Sequence, residues 1–142
     1  MKRLPQLVYH LRRSRFVNRF GISLDESYYI GYILNRESVL NCISMIQPAL
    51  LKYSLENNEP SPVALDEEEM QDEVILLLDS YFNVIEWYGA HCQNWLEEKY
   101  HESPDFVHIA DLFDSPAQDI SYIMASRFPV PNFYRVHPGH SK

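Results

Sequence analysis

The stretch from Val74 to Gly89, Val-Ile-Leu-Leu-Leu-Asp-Ser-Tyr-Phe-Asn-Val-Ile-Glu-Trp-Tyr-Gly, restricts what this chain can fold into more than any other. Val74 to Leu78 is apolar at every position, which suits a strand covered on both faces better than one with a wet side. Val84, Ile85, Trp87 and Tyr88 repeat the signal, and Asp79, Ser80 and Asn83 between them supply turn chemistry. The spacing predicts a β-hairpin that stops at Gly89 and forms the middle of a sheet, with Leu76, Leu78 and Trp87 buried.

Ahead of the sheet the period is helical. Leu7, Val8, Leu11, Phe16 and Phe20 predict a first helix, with Gly21 as its stop. Ser23-Leu24-Asp25-Glu26 is a capping box ahead of a second helix over Tyr28 to Leu34. Asn35 offers an end and a new cap, and Val39, Leu40, Ile43 and Ile46 give a third amphipathic run towards Pro48. From Leu51 the period changes to alternation, which predicts a strand up to a loop at Asn57 to Pro60 and a short second strand at Val63 to Leu65. After the hairpin, Cys92, Trp95 and Leu96 mark a helix. Ser103-Pro104 and Ser115-Pro116 each place a serine at a cap and a proline at a first helical position, predicting two further helices. Phe133, Tyr134 and Val136 read as an edge strand.

A chain of 142 residues with 46% apolar content can bury one core. No stretch approaches the roughly 20 apolar residues of a membrane-spanning helix, and the apolar run Leu7 to Leu11 is too short for a secretory signal before Arg12, Arg13 and Arg15. These features point to a cytosolic protein. Cys42 and Cys92 lack the spacing of a redox pair and read as buried free thiols. The net charge of −8 hides an asymmetry: Lys2, Arg3, Arg12, Arg13, Arg15 and Arg19 all precede the first acid, Asp25, after which acids outnumber bases 20 to 6. That balance argues against nucleic-acid binding by the bulk of the chain. The basic first helix is compatible with anionic lipid, with an acidic partner, or with a solvated face paired to acids elsewhere.

Self-contained catalytic chemistry is missing from the sequence. The run Asp66 to Glu73 holds six carboxylates in eight residues, but it lacks the alternate ligand spacing and the glycine of a calcium loop and reads as an exposed acidic loop. His10, His91, His101, His108, His137 and His140 include one close pair, His137 and His140, which is short of a zinc site. Gly21, Gly31, Gly89 and Gly139 form neither a phosphate loop nor a nucleophile elbow. No catalytic residue, metal ligand or cofactor is expected.

The hairpin with its closing Trp87-Tyr88-Gly89 resembles the centre of a gelsolin-like repeat. Three further stretches narrow the likeness: Tyr9-His10-Leu11-Arg12-Arg13-Ser14; Leu34-Asn35-Arg36-Glu37 leading to Met45-Ile46-Gln47-Pro48; and Ser126-Arg127-Phe128-Pro129-Val130-Pro131. Together they resemble the GTPase-activating subunit of the inner shell of the COPII coat, the Sec-twenty-three family, over nearly the whole chain in order.

The resemblance implies an α+β fold, with residues 1–48 ending an all-helical domain and residues 49–142 forming a gelsolin-like domain, a mixed central sheet flanked by helices, that is incomplete at its C-terminus. It implies a cytosolic coat protein on the endoplasmic-reticulum membrane and its vesicles, acting in ER-to-Golgi transport and attached to the membrane peripherally through the whole coat. The implied partners are a Sar-type small GTPase, a cargo-binding inner-coat subunit that docks through other domains, and proline-rich segments of an outer-coat protein. In the family an aromatic on the helix that opens with Pro104 lines the proline-rich cleft, and Phe106 holds that place, so Pro104 and Phe106 are implied partner contacts. Family members continue past a Gly-Gly-Ser-Gln-Ala-Arg run whose arginine enters the GTPase site. This chain reads Gly139-His140-Ser141-Lys142, so Gly139 and Ser141 are implied partner contacts and the finger arginine would lie just beyond Lys142. His140 and Lys142 differ from the family's Gly and Gln. The competing reading is a gelsolin-type actin- or calcium-binding module, for which only the generic hairpin speaks.

Overall fold

The computed structural model describes residues 4–14, 16–18 and 20–138. The chain divides between Pro48 and Ala49 into two compact units. Among the described residues no helix is long and apolar enough to cross a membrane.

The first unit is helical: α1 (Leu4–Arg13), α2 (Leu24–Arg36) and α3 (Val39–Ile46). The helix expected to run to Phe20 ends at Arg13. Ser14 supplies the reason, since its hydroxyl and its amide both donate to the Leu11 carbonyl and draw the chain into a turn. Gly21 does adopt the left-handed conformation expected of a stop, with φ +78. Ser23 caps α2 by accepting from the Glu26 amide at 3.2 Å. The next cap is Ser38 rather than Asn35: α2 runs on to Arg36, Asn35 donates back to the Gly31 carbonyl, and the Ser38 hydroxyl accepts from the Asn41 amide. Ile30 and Ile33 are buried on one side of α2. Cys42 is a free thiol pointing at the Leu34 carbonyl, and burial followed by the nearby Glu37 carboxylate pushes its pKa up.

The second unit is α+β, a sheet in the order β2-β1-β3-β4-β5 with helices on one face. Its strands are β1 (Ala49–Ser54), β2 (Asn57–Val63), β3 (Val74–Asp79), β4 (Asn83–Tyr88) and β5 (Asn132–Val136); its helices are α4 (Ala90–Glu97) and α5 (Val107–Ser126). The β3–β4 hairpin is antiparallel and central as expected, and β5 joins the far edge parallel to β4. The loop expected at Asn57 to Pro60 is instead strand: β2 pairs antiparallel with β1, with Leu51 opposite Pro62 and Lys52 opposite Ser61. An outer strand tolerates Pro60 and Pro62 because one side of its ladder has no partner to lose.

Alternation divides the sheet into two faces. Tyr53, Ile75, Leu77, Val84 and Tyr88 pack against Cys92 of α4 and Leu112 of α5, with Trp95, Phe113, Ile120 and Ile123 around them. The other face carries Leu50, Leu76, Leu78, Ile85, Trp87 and Val136, which line an open apolar groove of about 370 Å³. This corrects the expectation for the hairpin. Leu76 is buried, but Trp87 and Leu78 lie only half-buried on the groove face, while Glu86 points into the helix-covered core at 1% exposure.

The two helices expected at Ser103-Pro104 and Ser115-Pro116 are one. Helix α5 is continuous over 20 residues with Pro116 inside it and fully buried. Ile109, Leu112, Pro116, Ile120 and Ile123 fall on one stripe, and packing that stripe against the sheet outweighs the hydrogen bond that proline cannot donate.

Gly89 follows β4 and is required by space alone. A Cβ there would collide with the backbone carbonyls of Gln71 and Asp72, and the Gly89 amide donates to the Val74 carbonyl at 2.9 Å.

Candidate partner-binding site

The short connection from α4 to α5 carries Pro104 and Phe106, two of the residues expected to contact a partner. Lys99 is left-handed, with φ 58, and turns the chain into a 3₁₀ turn at Tyr100–Glu102, followed by a second at Pro104–Phe106. Pro104 thus opens a 3₁₀ turn rather than the α-helix itself, and Phe106 sits at the cap position just before Val107. Its φ of −120 and ψ of 47 take it off the helical path, so its ring is not part of the stripe that faces the sheet.

Phe106 is 37% exposed, with its ring centroid 5.1 Å from Tyr100 and 6.2 Å from His108. In the same connection the His101 ring lies 5.7 Å from Phe113, which lies 5.6 Å from Tyr88 of the core. The exposed Phe106 ring with Tyr100 beside it offers an aromatic surface suited to stacking a rigid apolar ligand. Gly139 and Ser141 lie outside the described residues. Sequence reasoning missed Tyr100, whose participation arises from the two consecutive turns and leaves no periodic signal.

His108 also borders a polar pocket of about 450 Å³ between β1, β2 and α5, where Tyr53, Glu59, Asp111, Asp114 and Gln118 are among the lining residues. Tyr53 donates to Asp119 at 2.7 Å, and burial together with that carboxylate pushes the phenol well above its ordinary range. Among the described residues no cluster of metal-ligating side chains is present.

The two described arginines near the end of the chain, Arg127 and Arg135, are each paired to a carboxylate. Arg127 directly follows the last residue of α5. Its guanidinium makes a bidentate pair with Asp79, both contacts at 2.6 Å, and lies 5.0 Å from the Tyr81 ring. On β5, Arg135 donates through Nε to Glu86 at 2.9 Å, which pairs the carboxylate that β4 turns inward.

Comparison with known proteins places this geometry. The family pattern of the gelsolin repeat matches residues 56–102, from the start of β2 through the hairpin to the first 3₁₀ turn. Protein transport protein SEC23 C of Arabidopsis thaliana is 42% identical over 127 residues, covering 89% of this chain and 17% of its own length. The chain belongs to the SEC23 family. Protein transport protein SEC23 F of the same organism agrees, at 41% identity over 127 residues, 89% of this chain and 16% of that protein. The present chain therefore spans about a sixth of the SEC23 proteins it matches. The crystal structure of the human COPII-coat protein Sec24c superimposes with a TM-score of 0.67 over 99% of this chain and 20% of that one, at 20% identity, a likeness of fold.

Proposed function

We propose that this SEC23-family chain acts in the inner shell of the COPII vesicle coat, in ER-to-Golgi transport on the cytosolic face of the endoplasmic reticulum. The observation that carries the reading is the 42% identity to SEC23 C across 89% of the chain. In this reading the two units are the end of a helical domain and a gelsolin-like domain. They contribute to docking on and activating a Sar-type small GTPase, the Phe106 turn receives proline-rich outer-coat segments, and the cargo-binding inner-coat subunit is bound through other domains.

The proposed role is that of an activator rather than an enzyme. A small GTPase already holds its nucleotide and magnesium, and an activating protein typically adds an arginine aimed at the charge developing on the transferring phosphoryl group. The reading assigns that task to neither Arg127 nor Arg135, because Asp79 and Glu86 hold them. An exposed aromatic such as Phe106 supports proline-rich docking because a polyproline II helix is preformed and presents flat ring faces.

The test is recruitment of the full-length SEC23-family protein to liposomes by a Sar-type GTPase loaded with a non-hydrolysable GTP analogue. Binding in the GTP-like state and release in the GDP state are expected. Equal binding in both states, or none in either, contradicts the coat reading.

A further inference from the structure

Ser103-Pro104 reads from sequence as a helix cap, and the structure removes that role. Helix α5 begins at Val107, and the Ser103 side chain makes no capping hydrogen bond. Its backbone is extended instead, with φ −88 and ψ 132, the conformation that a following proline favours. The residue is partly exposed in the connection between two single turns, and its carbonyl accepts from the Phe106 amide at 3.2 Å. The other Ser-Pro pairs are placed differently. Ser115 lies within α5, and Ser61 lies in β2 opposite Lys52.

We propose that Ser103 is a phosphorylation site for a proline-directed kinase and that its phosphate closes the Phe106 turn to proline-rich ligands. The second half rests on the docking reading above. In the transfer, Ser103 Oγ bonds to the γ-phosphorus of ATP, the bond from that phosphorus to the ADP oxygen breaks, and the hydroxyl proton leaves through the kinase's base. The product adds close to two negative charges and only acceptor oxygens. Proline residues carry no amide N–H, so a polyproline ligand offers the phosphate carbonyl oxygens and no donor. Asp105 already stands in the same turn and carries charge of the same sign.

The experiment incubates the full chain with magnesium-ATP and a proline-directed serine/threonine kinase and maps the phosphate by peptide mass spectrometry. One phosphate on Ser103, absent in Ser103→Ala, with Ser61 and Ser115 unmodified, is expected. An unmodified Ser103, or phosphate appearing as readily on Ser115, overturns the site. The phosphorylated and unmodified forms are then titrated with a triproline peptide while the Tyr100 and Phe106 ring resonances are followed by NMR. Loss of peptide binding on phosphorylation is expected, and equal binding by both forms overturns the control. Where the unmodified chain binds no triproline, the docking reading fails by itself; movement of the Phe106 and Tyr100 resonances on phosphorylation still supports Ser103 as the residue that alters this turn, and their failure to move overturns it.

Discussion

Asp79 and Arg127, 48 residues apart, face each other across two contacts of 2.6 Å with their side chains almost wholly out of water. Asp79 also accepts from the Tyr81 amide at 2.9 Å and so shapes the hairpin turn, in which Tyr81 is held left-handed at φ 69. The Tyr81 hydroxyl donates to the Phe128 carbonyl at 3.0 Å, tying the turn to the segment after α5 a second time. Removing one partner strands the other charge, so Arg127→Ala is expected to cost about 3–5 kcal/mol by urea denaturation. Arg127→Lys is expected to recover little of it, because an ammonium cannot make the planar two-point contact.

Gly89→Ala is expected to destabilise the second unit severely. The new methyl would meet the carbonyls of Gln71 and Asp72, which are backbone and cannot swing away like the end of a flexible side chain. Circular dichroism melts of the variant should show a fall in the midpoint larger than that of Gly31→Ala, where a Cβ meets nothing within 4 Å.

The two faces of the sheet make different demands on their residues. Leu77 is fully buried against the helices, and Leu77→Ala is expected to cost about 2–5 kcal/mol. Trp87 lines the open groove, so Trp87→Ala should cost less than Leu77→Ala in the same urea titration, and Trp87 should be quenched more readily by acrylamide than a core indole.

Much of this arrangement is legible in the sequence, and the exceptions share a cause. The hairpin and the edge strand are readable because short apolar, β-branched and aromatic runs lie within a few positions of turn residues. The face assignment is not, because Glu86 enters the core only with Arg135 beside it, a contact 49 residues away in sequence. Likewise, Ser115-Pro116 has every local mark of a helix start, and only the buried stripe on α5 overrides it. At the candidate site, Phe106 was reached through family resemblance. Its neighbour Tyr100 depends on the left-handed turn at Lys99, a conformation that no local pattern announced.

Cys92 gives the fold a pH signature. Burial, and after it the Glu73 charge, push its thiol from 9.0 up to about 12. The folded state holds this proton more tightly than the unfolded chain, so the group's contribution is intact below pH 9.0 and declines as pH rises towards about 12. This group's share of the slope approaches about 1.4 kcal/mol per pH unit as pH rises above 9.0. The interval from 9.0 to 10.0 lies below the ordinary value of the raised tyrosines Tyr53 and Tyr88, and comparison with Cys92→Ala separates Cys92 from Cys42, which is raised from the same 9.0. Urea midpoints at both ends of that interval, for the native chain and for Cys92→Ala, check the slope, which should be shallower in the variant.

The most direct measurement of the account is titration of the full-length SEC23-family protein with a triproline peptide by NMR or calorimetry, native and with Phe106→Ala. Phe106 caps α5 at the surface and is absent from the buried core, so the substitution should leave the thermal midpoint nearly unchanged. The account predicts saturable binding by the native protein, with shifts centred on Phe106 and Tyr100, and loss of that binding in the variant. Equal affinity in the two proteins, or binding that leaves both rings unshifted, would contradict it.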